Sequence, residues 1–471
     1  MTQCKTEQYE FHALGNREVV GHFDGGDITT DAGGLLLREV EQRTGIIRRF
    51  AACFRDYRDA RFIEFPVEGL VAQRVYGLSL GYEDLNDHDQ LRADPALAVT
   101  VGNEDPKGEH RRVEQDRGKA LAGKSTLNRL ELTQAGPFST DPYKRIGRDD
   151  AAIDRFMVDH FLEAHEKPPL QIILDVDATD DPIHGNQEGR FYHGYYGHYC
   201  YLPLYIFCGE FLLCARLRKA DIDACAGTVD ELKRIVHQIR QKWPKVQIVL
   251  RGDSGFCREE ILAWCEANDV DYVIGLAKNA VLIREIEKEL EKAEKKFRKT
   301  GKASRVFKDF QYSTQDTWSR KRRVIAKAEY LAKGSNPRFV VTSLPSRQLG
   351  AQYIYERTYC ARGDMENRIK EQQLGLFADR TSTATMHANQ LRLYFSSVAY
   401  MLIQTTRRIG LKDTPLANAQ CGTIRLKLLK IGAQVQVTVR RVWFRMASGC
   451  PYADVFAQAY INIQNLPLMR C

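Results

Sequence analysis

The sequence predicts an α/β protein with a mixed central sheet, helices ahead of it and a small basic domain behind it. Three observations predict this. Between residues 165 and 277, apolar runs of strand length and amphipathic stretches of helix length follow in the order β-β-β-α-β-α-β. Between 278 and 345 three further strand-like stretches interrupt that order. Before residue 160, and again from Gln352, apolar residues recur at helical spacing. The chain has 471 residues, too many for one core, and divides by pattern into 1–160, 165–277, 278–345, 346–405 and 406–471.

Each element has its own signal. GGLLLREVEQRTGIIRRF has helical apolar spacing, with Thr30 or Asp31 as N-cap. EGLVAQRVYGLSLGYEDLNDHDQLRADP reads as a helix, a break at Gly81–Tyr82, and a second short helix ending before Pro95. Residues 103–120 are very polar and read as a loop, and Ser125 opens a short helix in AGKSTLNRLELT. PLQIILDVDAT is a strand, because Ile172, Leu174 and Val176 alternate with other positions. FYHGYYGHYCY and LPLYIFCGEFLLCARLR continue as a meander. TVDELKRIVHQIRQKW is an amphipathic helix, VQIVLRGDSGF a buried strand ending in a Gly-flanked turn, REEILAWCEAND a helix and VDYVIGLA a strand. The interruption holds a Lys/Glu-rich helix and the strands SRVFKDFQY, RRVIAKAEY and RFVVTSL. A long helical run from Gln352 to Gln373 and a second helix, HANQLRLYFSSVAYMLIQTTRR, follow. AQVQVTVRRVWFRM alternates as one strand carrying Arg440, Arg441 and Arg445.

Composition excludes some classes. The longest apolar candidate for a membrane span, LPLYIFCGEFLLC, is broken by Glu210 and falls short of the ~18 residues needed. The start, MTQCKTEQYEF, lacks the charged-then-apolar pattern of a signal peptide, so the expected location is the cytoplasm. The twelve cysteines include no CxxC pair and read as reduced thiols. The net charge of +8 is concentrated: residues 401–471 hold ten Lys/Arg and two Asp/Glu. A basic tail of this kind points to a polyanion partner.

The chemistry-bearing residues form a pattern across the chain. Tyr359, Arg362, Glu366 and Lys370 are offset by 0, 3, 7 and 11, which places them on one helix face. Asp177 and Asp253 each close a strand, where catalytic groups of open sheets collect. Three carboxylates from these elements suit two Mg2+ ions, which prefer oxygen donors and need no His or Cys. Asp175, Asp180 and Asp181 compete with Asp177 for that role. Trp318 beside Arg320, Lys321, Arg322 and Arg323 fits a stacking residue with phosphate-binding cations, or an ordinary strand Trp. Arg440 and Arg441 are further candidates for DNA contact. His184, His193 and His198 lack a cysteine at zinc-site spacing and read as sheet-face residues.

At these residues the chain resembles DDE-type insertion-sequence transposases of the group 1 type. The motifs that carry the resemblance are GYEDLNDHDQLRADP, STLNRLE, LDVDATDDPIHG, VLRGDSGFCR, YCARGDMENRIKE and HANQLRLYFSSVAY, and they span nearly the whole chain. The resemblance implies a ribonuclease H-like core, a β-rich insertion before the Glu helix, and a catalytic triad of Asp177 (with Thr179 two residues on), Asp253 and Glu366. Related hairpin-forming transposases carry Tyr-x2-Arg-x3-Glu-x6-Lys. Tyr359, Arg362 and Glu366 match it, Gln373 stands at the Lys position, and Lys370 lies one turn after Glu366. The resemblance further implies Mg2+ (or Mn2+) dependence, nicking at terminal inverted repeats, transfer of the freed 3′-hydroxyl into target DNA, and a homodimer on paired ends. A transposase-derived DNA-binding regulator, and a metal-dependent nuclease without strand transfer, are the alternative readings.

Overall fold

The computed structural model describes residues 8–132, 141, 143–347 and 349–467. It divides into two compact units, Met1–Arg148 with Gly375–Phe377 and Val398–Cys471, and Asp149–Leu374 with Ala378–Ser397.

The second unit is built on one nine-stranded mixed sheet. Its main strands are β1 (Gln171–Ala178), β2 (Leu204–Cys208), β3 (Phe211–Arg216), β4 (Gln247–Gly252), β5 (Asp271–Leu276), β6 (Ser304–Tyr312), β7 (Arg322–Leu331) and β8 (Arg338–Thr342). In space they run β3-β2-β1-β4-β5-β8-β7-β6, and Gly334–Ser335 pairs with β7. β1, β4 and β5 are parallel, and every other neighbouring pair is antiparallel. Helices Asp150–Glu163, Thr228–Lys242 and Glu259–Ala267 connect or flank the strands. A mixed sheet with flanking helices is consistent with the ribonuclease H-like expectation. The strands of the interruption join the central sheet, because β8 pairs with β5.

Alternation along β1 and β4 explains the two faces. Ile172, Leu174, Val176, Ile248 and Leu250 enter the larger core together with Leu232, Ile235 and Leu262 of the flanking helices. Ile173, Val249 and Val273 face the other way and pack with Ile354, Tyr355 and Tyr359. That smaller apolar patch anchors the helical run from Ala351 beside the acidic residues.

The first unit holds the helices expected before residue 148, with three corrections. The segment Tyr9–Gly21, part of a region expected to be largely helical, is a β-hairpin of Tyr9–Leu14 paired with Arg17–Gly21. The helix Gly34–Thr44 starts after Gly33, not at Thr30 or Asp31. The Asp31 carboxylate is committed elsewhere: it accepts the Tyr82 hydroxyl at 2.6 Å and pairs with Lys430 at 2.6 Å. The alternating stretch 433–446 is two strands, Ala433–Val437 and Val442–Met446, because Thr438 and Arg441 close a turn. Ala433–Val437 also pairs with Ile28–Thr29, so the basic C-terminal segment folds with the N-terminal one. Among the described residues, all ten cysteines are free, and Cys4 and Cys471 lie outside them. No helix among them is long and apolar enough to cross a membrane.

Candidate active site

The parallel strands β1 and β4 bring two acidic residues to their carboxyl ends. Asp175 and Asp177 are two apart on β1 and share a face. Arg251 pairs in register with Asp175, and Asp253 follows directly after β4.

Asp175 and Arg251 form a buried clamp. Arg251 donates through Nε and Nη2 to the two carboxylate oxygens of Asp175 at 2.5 and 2.7 Å, and through Nη1 to the Thr358 carbonyl at 2.5 Å. Burial raises the Asp175 carboxyl, and Arg251 opposes that rise. The clamp fixes the strand pair to the helical run that carries Tyr359 and Arg362. It also consumes Asp175, which sets that residue apart from Asp177.

Asp177 accepts Arg362 Nη1 at 3.1 Å and the Ala178 amide at 2.9 Å. Arg362 Nη2 meets Glu366 at 2.5 Å. One guanidinium therefore spans two of the three carboxylates. Burial pushes the Asp177 carboxyl up to about 7, Arg362 holds it back, and the nearby charges of Asp253 and Glu366 push it further. Burial opposes the charge of Arg362, but Asp177, Glu366, Tyr359 and Asp253 outweigh it and raise its pKa. Asp253 Oδ1 accepts the Gly255 amide at 2.8 Å, capping the short turn Ser254–Phe256.

The helical run is not one regular α-helix. Ile354–Tyr359 is a π-helical turn, Cys360–Arg362 a 3-10 turn, and Gly363–Leu376 an α-helix. Widened turns of this kind recur at functional sites. Tyr359 is partly buried against Tyr355, with ring centroids 5.7 Å apart. A Cβ on Gly275 would lie 2.6 Å from the Tyr359 hydroxyl, so the glycine makes room for it. Lys370 is exposed, one turn past Glu366. Gln373 Nε2 donates to the Asp180 carbonyl at 3.1 Å, so the residue at the family Lys position ties the helix to the segment after β1.

The basic cluster is largely committed inside the protein. Trp318 is only 9% exposed, edge-on to Tyr312 at 5.7 Å and beneath the Arg322 guanidinium at 5.3 Å. Arg322 is buried and bonded to Glu259 and Glu266, and Arg323 is buried and bonded to Asp309 and the Leu344 carbonyl. Arg320 shares Glu266 but keeps an exposed side chain, and Lys321 is exposed. Arg440 and Arg441 stand exposed at the hairpin turn of the first unit, with Arg441 5.5 Å from the Trp443 ring. His198 pairs with Asp180 at 2.8 Å, and His193 stacks near Tyr196.

Arg251 and Gly275 were not singled out from the sequence. An arginine inside the apolar run VQIVLRGD was the available signal, since a buried cation needs a buried acid in register. Among the described residues, no three His, Cys, Asp or Glu side chains stand close enough together to hold a metal ion. The donor set of Asp177, Asp253 and Glu366 is nevertheless all oxygen, the chemistry Mg2+ takes.

A mixed sheet with acidic residues at the carboxyl ends of its parallel strands places them where the sites of open sheets collect. The chain belongs to the transposase DDE domain group 1 family, whose model matches residues 11–468. Membership brings DNA binding and recombination of a mobile element with it. No curated protein matches the chain.

Proposed function

We propose that the protein is a DNA transposase that cleaves at the terminal inverted repeats of its element and joins the freed 3′-hydroxyl ends to target DNA. The supporting observation is the grouping of Asp177, Arg362 and Glu366 beside Asp253 at the ends of β1 and β4. Asp177, Asp253 and Glu366 would hold Mg2+, or Mn2+ in its place. Bound there, the ions supply activation of the attacking oxygen and stabilisation of the leaving one.

The remaining work falls to the chain. The Arg251–Asp175 clamp ties the strand ends, through the Thr358 carbonyl, to the turn that precedes the Glu366 helix. Arg362, released from the carboxylates, positions the scissile phosphate as a planar two-pronged donor. The Tyr359 hydroxyl lies beside the Asp253–Ser254 backbone and orients the same phosphate. Lys370 contributes a further exposed cation. Arg320, Lys321, Arg440 and Arg441 are surface contacts for duplex DNA, whereas Trp318, Arg322 and Arg323 support the fold of their region. Two copies act on paired ends, since joining two ends needs two sites.

One observation favours a second reading, a transposase-derived regulator that binds ends without cutting them: Arg362 occupies Asp177 and Glu366, and among the described residues no three acids are grouped for a metal. Nicking assays decide. Asp177→Asn and Glu366→Gln are expected to lose at least about a thousandfold in Mg2+-dependent nicking while still binding the ends. Wild type that binds and never nicks supports the regulator. Nicked but never joined products support a nuclease.

A further inference from the structure

Beside the acidic group lies a cavity of about 300 Å3, walled by Ser254, Gly275, Lys278, Arg338, Phe339 and Tyr359. It sits at the same sheet edge as Asp177 and Asp253. β4 and β5 are parallel, so Lys278, two residues past the end of β5, lies at the carboxyl edge. β8 runs the opposite way, and Leu276 pairs with Phe339, which brings Arg338 at the start of β8 to that edge too. Ser254 adjoins Asp253, and the Tyr359 hydroxyl fills the space left by Gly275, so the cavity shares a wall with the acidic group.

The charge of the neighbouring cations is already spent. Arg251 is held by Asp175, Arg362 by Asp177 and Glu366, and Arg305 and Lys327 by Glu329. Lys278 and Arg338 are exposed, and among the described residues neither makes an ion pair. Lys370 is also exposed but forms no part of the cavity wall. A DNA strand brought to three carboxylates meets repulsion on both sides of the reacting phosphate. Two unspent cations at the rim of a sugar-sized cavity, with a tyrosine hydroxyl in its wall, offset that repulsion.

We propose that this cavity is the subsite for the sugar-phosphate unit adjoining the scissile phosphodiester, with Lys278 and Arg338 as positioning residues that hold its phosphate. The proposal rests on the transposase reading above and adds the strand-binding site next to its chemistry.

Phosphate-by-phosphate interference tests it. The full-length protein is bound, without divalent metal, to duplexes of the element's end in which single phosphates around the cut are replaced by uncharged methylphosphonate. Wild type is expected to lose roughly threefold to tenfold in affinity at one or two phosphates flanking the cut. Lys278→Ala and Arg338→Ala should weaken the unmodified duplex by a similar factor and become indifferent to the substitution at those phosphates only. Lys278→Arg and Arg338→Lys should restore the sensitivity. Variants that keep the wild-type pattern at every phosphate overturn the proposal, as does wild-type affinity for the unmodified duplex. Mg2+-dependent cleavage of the unmodified duplex is read in parallel. Its loss in wild type with the interference pattern intact counts against the transposase reading and leaves the subsite standing, whereas no binding of the ends by wild type overturns both.

Discussion

Asp175 and Asp177 differ by two positions and by everything around them. Asp175 neutralises the buried Arg251, while Asp177 faces Arg362, Asp253 and Glu366. Asp175→Ala leaves a buried guanidinium without its partner, which costs roughly 3–5 kcal/mol. Chemical denaturation should register that loss directly. An unchanged midpoint with cleavage abolished would instead place Asp175 in the chemistry. The sequence placed Asp177 and Asp253 at strand ends because alternation and turn residues are local signals. It left Asp175 as a competitor because the two aspartates are equivalent by pattern. Only the in-register Arg251 separates them, and that pairing is made 76 positions away. In the basic run beside Trp318 the sequence shows no sign of acidic partners, yet Arg322 is bonded to Glu259 and Glu266 and Arg323 to Asp309, while Lys321 stays exposed.

Elements carry the second level of control. The run from Gln352 to Gln373 was legible as helical from its apolar spacing, and the stripe of Tyr359, Arg362 and Glu366 assumed a regular 100° step. The π-helical and 3-10 turns break that step before Gly363, and no local residue pattern announces them. Gly275 accommodates the result. Gly275→Ala would put a methyl group 2.6 Å from the Tyr359 hydroxyl and 2.9 Å from the Ser254 amide. The expected cost is about 1–3 kcal/mol, with slower nicking and unchanged affinity for distal duplex. Equal stability and equal nicking would show that Tyr359 moves freely. In the first unit, the Glu41 carboxylate accepts the Ile47 and Arg48 amides at the start of helix Ile46–Ala51. Burial raises it from 4.5 to about 7. A carboxyl raised on folding favours the protonated native state, so this contribution is fully present below about pH 4.5 and is lost as pH rises through about 7. Glu41→Gln should flatten the stability profile across that window. A profile unchanged by the substitution would contradict the assignment.

For the molecule as a whole, the central mixed sheet was legible and its extent was not. Strand-like stretches between 304 and 344 read as an insertion with its own pattern, yet β8 pairs with β5 and continues the sheet. The pairing of Ala433–Val437 with Ile28–Thr29 joins residues about four hundred positions apart, a distance at which periodicity carries no information. The family match spans residues 11–468, taking in both compact units. The proposed chemistry is that Asp177, Asp253 and Glu366, the first and last of them bridged by Arg362, act with Mg2+ on DNA ends held by two copies. The most direct measurement is cleavage and joining of labelled DNA carrying the element's own ends, for wild type and Asp253→Ala, with and without Mg2+. Nicks at the repeat boundary and joined products are expected only with wild type and Mg2+. Ends bound by wild type but left uncut in Mg2+, or products that survive Asp253→Ala, would contradict that chemistry.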